Sequence, residues 1–143
     1  LDITEDKFIL DIHKQLFNLS DNESNKILRT WVNNSKYECK VFDGSKKWYV
    51  NDKLHRDNNM PAVEFSNGYK EWWVNDKRHR EADKPAIEHA DGNKEWYRNG
   101  RLHREEDLPA IEYSDGSKEW WVNGKKHRDA DRPASEWASG SEQ

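Results

Sequence analysis

Along most of this chain the pattern of apolar and polar positions repeats every 24 residues. Trp48, Trp72, Trp96 and Trp120 keep that step, and so do His55, His79, His103 and His127. Each histidine is followed by arginine: Arg56, Arg80, Arg104 and Arg128. Pro61, Pro85, Pro109 and Pro133 also stay in phase, each followed by alanine. Asp43-Gly44, Asn67-Gly68, Asp91-Gly92 and Asp115-Gly116 are hairpin-turn signals. Asn51-Asp52, Asn75-Asp76, Asn99-Gly100 and Asn123-Gly124 form a second set, because Asn and Asp tolerate the left-handed backbone. Between the turns lie β-forming runs such as Ala62–Phe65, Lys70–Val74 and Lys77–Arg80. Each unit therefore predicts a small antiparallel meander that opens at its proline, where a missing N–H costs nothing. The segment between arginine and proline, such as Glu81–Lys84, reads as a solvated connection.

Turn chemistry fixes the expected partners. A two-residue turn at Asn75-Asp76 sets Val74 against Lys77, Trp73 against Arg78 and Trp72 against His79. The same count gives Tyr49/Leu54, Tyr97/Leu102 and Trp121/Lys126, aromatic–long-chain pairs worth about 0.2–1 kcal/mol each. At the other turn a two-residue loop would oppose Glu64 and Glu71. A three-residue loop, Ser66-Asn67-Gly68, opposes Glu64 and Lys70 instead, and likewise Glu88/Lys94 and Glu112/Lys118. Charge pairing selects the longer loop.

The first residues follow another period. Phe8, Ile9, Ile12, Leu16 and Leu19 fall at helical spacing, and Ile27, Leu28, Trp31 and Val32 are read as the apolar side of a second helix ending at Asn33-Asn34-Ser35. The expectation is a mainly β array of tandem antiparallel hairpins over 37–143, with residues 1–36 as a helical N-terminal segment capping its first hairpin. A dimerisation or partner role for those helices is the competing reading.

Composition narrows the function. Of 143 residues, 33% are hydrophobic and 36% charged, so a conventional two-layer core is excluded. Eight Trp, five Tyr and four Phe argue equally against disorder. A net charge of −4 disfavours a nucleic-acid partner, and no apolar run is long enough for a membrane span. The single cysteine, Cys39, leaves no internal disulfide or cysteine-based zinc site; it occupies the position of Val63, Ile87 and Ile111 and is expected in the core. No secretory signal is seen, and a cytoplasmic location is expected, in a host cell if the source is viral.

The repeated histidines are the first candidates for chemistry. Equivalent residues in successive units stand at least two strands, about 9–10 Å, apart, too far to share a metal. Trp48, Trp72, Trp96, Trp120, His55, His79, His103 and His127 are therefore assigned structural roles, with the imidazoles packed on indoles and bonded to backbone or acid. His55-Arg56-Asp57 and His127-Arg128-Asp129 begin like a kinase catalytic loop but lack its asparagine and a phosphate loop. Neither catalysis, cofactor nor metal is expected. The second aromatic row, Tyr49, Trp73, Tyr97 and Trp121, points to the opposite face of its strands. With Arg78, Arg98 and Lys126 it makes a stripe of the composition found at interface hot spots.

The phrase D-G-S-K-E-W-W-V-N-G-K-K-H-R at Asp115–Arg128, followed by Pro133-Ala134, resembles a short tandem repeat that recurs in proteins of large DNA viruses and bacteriophages. Its hairpin-per-unit plan is similar to MORN repeats, which use more Gly and usually Tyr where this chain has Trp. The resemblance covers about three quarters of the chain and implies a non-catalytic binding or scaffolding module. A protein partner is the leading expectation and a carbohydrate the alternative. The strand edge at Ala134–Trp137 adds an expectation of homo-oligomers.

Overall fold

The computed structural model describes residues 26–140. All regular structure in this range is β. Three long strands come first: β1 (Lys26–Val32), β2 (Ser35–Phe42) and β3 (Ser45–Val50). Fourteen two-residue strands follow. They are β4 (Lys53–Leu54), β5 (Val63–Glu64), β6 (Lys70–Glu71), β7 (Trp73–Val74), β8 (Lys77–Arg78), β9 (Ile87–Glu88) and β10 (Lys94–Glu95), then β11 (Tyr97–Arg98), β12 (Arg101–Leu102), β13 (Ile111–Glu112), β14 (Lys118–Glu119), β15 (Trp121–Val122), β16 (Lys125–Lys126) and β17 (Ser135–Glu136).

The helix expected over Ile27–Val32 is instead strand β1, antiparallel to β2 from Lys26↔Val41 to Val32↔Ser35. Ile27, Trp31 and Val32 suit a pleated strand, and Asn33 and Asn34 make the turn, at φ 46° and 63°. Alternate residues divide in burial: Ile27, Arg29 and Trp31 face outward while Leu28, Thr30 and Val32 turn inward. The β1–β2 hairpin thus straddles the boundary expected at position 36. The first expected helix lies outside the described residues.

An eleven-stranded antiparallel sheet runs β1-β2-β3-β5-β6-β9-β10-β13-β14-β17, with β4 paired to β3. Each repeat adds two strands to it. Beside it stand the small hairpins β7–β8, β11–β12 and β15–β16, one per unit. Successive hairpins are linked by backbone bonds, Asp76 N–H to Leu54 O (3.0 Å), Gly100 N–H to Arg78 O (2.9 Å) and Gly124 N–H to Leu102 O (2.8 Å).

The expected pairs Tyr49/Leu54, Trp73/Arg78, Tyr97/Leu102 and Trp121/Lys126 all form. The three-residue loop also forms: Phe65 and Tyr69 close it, Gly68 sits at φ 95°, and Glu64 faces Lys70. The register carries that pairing across the sheet as Lys46, Glu64, Lys70, Glu88, Lys94, Glu112, Lys118 and Glu136. Sign alternates at every step, so each charge from Glu64 to Lys118 has opposite neighbours on both sides. The first unit differs, for Asp43-Gly44 is a two-residue turn that sets Lys40 against Lys47.

The core is a line of large and small residues. Trp48, Trp72, Trp96 and Trp120 are buried, and Ala62, Ala86 and Ala110 are completely so. Trp72 sits between two alanines: Ala62 N–H bonds to the adjacent Glu71 O, and Trp72 N–H bonds to Ala86 O, both at 2.8 Å. Alanine on each side leaves room for an indole, so a sheet poor in aliphatic residues still closes its interior.

The segment expected as a solvated connection is a third tight turn. Asn58-Asn59, Ala82-Asp83, Glu106-Asp107 and Ala130-Asp131 all have two consecutive positive φ angles, between 49° and 60°. The indole of the next strand secures it, with Trp72 Nε1–H donating to Asn59 O, Trp96 to Asp83 O and Trp120 to Asp107 O, at 2.9–3.1 Å.

Candidate functional site

The two sides of the array have different chemistry. On the Trp72 side, the residue lying over each indole is the arginine that follows the histidine. The guanidinium-to-ring distances are 3.6 Å for Arg56/Trp48 and Arg80/Trp72, 3.9 Å for Arg104/Trp96 and 3.7 Å for Arg128/Trp120. Each arginine also donates Nη1–H to the proline carbonyl five residues on, at 2.9–3.2 Å. Arg80 and Arg104 reach Glu88 and Glu112 at 2.9 Å. Arg104 further grips Asp83 in the preceding turn through Nε and Nη2, at 2.8 and 2.9 Å. Burial lowers the Arg56 guanidinium to about 10, against which Glu64 acts to raise it.

The histidines tie one unit to the next. Nδ1 of His55, His79 and His103 accepts the backbone N–H of Asn75, Asn99 and Asn123, at 3.1–3.2 Å. That bond requires the Nε2–H tautomer. Nε2 then points at a carboxylate two residues on: Asp57 for His55 (2.9 Å), Glu81 for His79 (2.7 Å) and Asp129 for His127 (3.0 Å). His103 Nε2 lies 3.0 Å from Glu105. These contacts hold Glu81 and Glu105 below the ordinary carboxylate range. With both ring nitrogens engaged, His55 and His79 have no free lone pair for a metal. Among the described residues no group of three His, Cys, Asp or Glu could hold one.

Between successive His-Arg-acid corners run shallow grooves. One of about 200 Å3 lies among His79, Glu81, Trp96, Arg98, His103 and Glu105. Its counterpart one unit earlier has about 240 Å3, among His55, Asp57, Trp72, His79 and Glu81.

The other side carries the second aromatic row. Tyr49, Trp73, Tyr97 and Trp121 are all half-buried, against the nearly complete burial of Trp48, Trp72, Trp96 and Trp120. Arg78 stacks over Trp73 at 4.9 Å and over Tyr97 of the next unit at 5.5 Å. Lys126 covers Trp121 at 5.6 Å, and Lys40 covers Tyr49 at 4.5 Å. Arg98 is not in this row; it pairs with Glu105 on the groove side.

Sequence reasoning missed the carboxylates that organise the row. Glu71 accepts from Tyr69 Oη and Trp73 Nε1, both at 2.6 Å, and from Arg78 Nε at 3.1 Å. Glu119 accepts from Trp121 Nε1 at 2.8 Å and lies 3.4 Å from Lys126 Nζ. Glu95 accepts from His89 Nε2 at 2.7 Å and Tyr97 Oη at 3.0 Å. Burial, then the Glu95 charge and hydrogen bond, push the Tyr97 phenol up to about 12, and burial with Glu71 raises Tyr69. The signal was present: each glutamate stands two positions before its aromatic residue, hence on the same face of an extended chain.

Cys39 is completely buried at the position expected from Val63 and Ile87. It packs with Val32, Tyr37 and Trp48, and burial raises its thiol to about 11.

No protein-family model, curated protein or solved structure matches this chain. Among the described residues no helix is long and apolar enough to cross a membrane.

Proposed function

We propose that the array is a non-catalytic interaction module that recognises a protein partner through the row Tyr49, Trp73, Tyr97 and Trp121. One observation carries the reading: a half-buried aromatic residue recurs once per unit, directly after each buried tryptophan. Aromatic rings flanked by Arg78 and Lys126 have the composition of an interface hot spot. Against a carbohydrate, a sugar needs an open ring face to stack on, and Arg78, Lys126 and Lys40 already lie over Trp73, Trp121 and Tyr49. The viral or phage source implied by the resemblance fits a scaffolding role in a host cell.

The test is a pull-down with the wild-type chain and with a Trp73→Ser/Trp121→Ser variant, beside a glycan array. The reading expects a captured protein to be lost from the variant while its thermal melt stays close to wild type. Unchanged capture, or a glycan signal in place of a protein, would overturn it.

A further inference from the structure

Three of the four units carry a glutamate two positions before the row residue, Glu71, Glu95 and Glu119, where the first has Lys47, and among these three the third stands apart. In the second unit the buried Glu71 is matched by Arg78, and in the fourth the buried Glu119 is matched by Lys126. The cross-strand partner of the row residue supplies the cation in both: Trp73↔Arg78 and Trp121↔Lys126. In the third unit the same register places Leu102 opposite Tyr97. Glu95 therefore has the carboxylate's position without the cation from its own hairpin. Its side chain is 21% exposed, against 10% for Glu71 and 9% for Glu119.

The surroundings suit an organic cation. Glu95 lies in the sheet between Ile87 and Ile111. Tyr97 donates to one of its oxygens and His89 meets the other, with Tyr69 edge-on to the His89 ring at 5.2 Å. A guanidinium stacks on such rings and donates to a carboxylate at once. Arg78 does both one unit away, with Nε 3.1 Å from Glu71 and the guanidinium over Trp73 and Tyr97. His89 is the other group bearing a proton toward Glu95, and its single Nε2 contact leaves the second carboxylate oxygen to Tyr97 alone.

We infer that the Glu95–Tyr97 position is a binding site for a guanidinium group, filled by an arginine side chain of the partner in the way Arg78 fills the second unit. This rests on the aromatic row being the binding surface and names the residue type the row receives.

The probe is N-acetylarginine amide, titrated into the chain and followed by NMR at Tyr97, His89 and the Glu95 carboxylate. Wild type should show saturable shifts at these three residues. Glu95→Gln should weaken binding by about tenfold or more, since a charge-assisted bond becomes a neutral one. Leu102→Arg should raise the melting temperature and abolish the shifts, because the introduced guanidinium occupies the site. Guanidinium ion alone should shift the same signals less, lacking an aliphatic stem to lie along Leu102. No saturable shift, equal binding to Glu95→Gln, equal shifts from guanidinium ion, or a Leu102→Arg chain no more stable than wild type would each overturn the assignment. The wider reading falls separately, if Trp73→Ser/Trp121→Ser still captures the protein partner.

Discussion

The N-terminal hairpin and the repeats solve one problem with different materials. Strands β1–β3 are six to eight residues long and enclose an apolar cluster of Val32, Tyr37, Cys39 and Trp48. Past Val50 every strand is two residues long, and the apolar line thins to one indole and one alanine per pairing step. Side-chain bonds take over where backbone ladders stop: arginine over indole, indole N–H to a turn carbonyl, histidine to the next unit's backbone. The β1–β3 region joins an apolar cluster to continuous backbone ladders. The repeats depend on directed contacts, and a unit can be extended indefinitely because those contacts look only to its neighbours.

The sharpest way to break this comparison is Trp96→Ala. It removes a buried ring, a cation–π contact and the bond to Asp83 O, and should cost about 3–5 kcal/mol. A melt unchanged by it would remove the indole line from this account. Next comes Arg104→Leu, which strips Trp96, Pro109, Glu112 and Asp83 of one partner and should cost about 2–3 kcal/mol. Arg104→Lys should recover less than half, for an ammonium cannot hold the planar fork. Full recovery would mean that only charge matters.

A smaller effect distinguishes the two regions by thiol reactivity. The Cys39 thiol is raised to about 11 by burial, so thiolate is scarce near neutral pH and alkylation should wait for the hairpin to open. Rapid labelling of the native chain would show that the apolar cluster is looser than the repeats. Acid works on the repeats in the opposite sense. Glu81 and Glu105 are held low in the folded state by their histidine contacts. Their contribution is present above the unfolded carboxylate value and is lost as pH falls through the folded one. Thermal melts of wild type and Glu105→Gln should therefore differ at neutral pH and converge as the carboxylates are protonated. The smallest effect is Ala82→Asn, which relieves a left-handed alanine at φ 59° and should stabilise by about 0.5 kcal/mol.

Much of this was legible because the repeat multiplies each local signal. Turn residues and charge complementarity together fixed the loop at Ser66-Asn67-Gly68 and the ladder Glu64/Lys70. The tight turn at Ala82-Asp83 was hidden, because Ala82 and Glu106 carry no turn chemistry; only Asn58-Asn59 did. That turn is held by indole and arginine partners lying 13 and 21 residues away, which no local window displays. Strand β1 was misread because Ile27, Leu28, Trp31 and Val32 also satisfy helical spacing, and pairing with β2 decided between the two. The aromatic row was visible from alternation, but its glutamates were not connected with it, and the donation of Trp73 and Tyr69 to Glu71 is what ties them together.

The histidine bond has a direction. His55, His79 and His103 each receive an N–H from the unit after them, and their side chains are 16%, 13% and 8% exposed. His127 has no such donor among the described residues and is 57% exposed. Order is thus handed backwards along the array, each unit being locked by its successor. Hydrogen exchange at the Asn75, Asn99 and Asn123 amides should therefore report how firmly each corner is held by the unit that follows it.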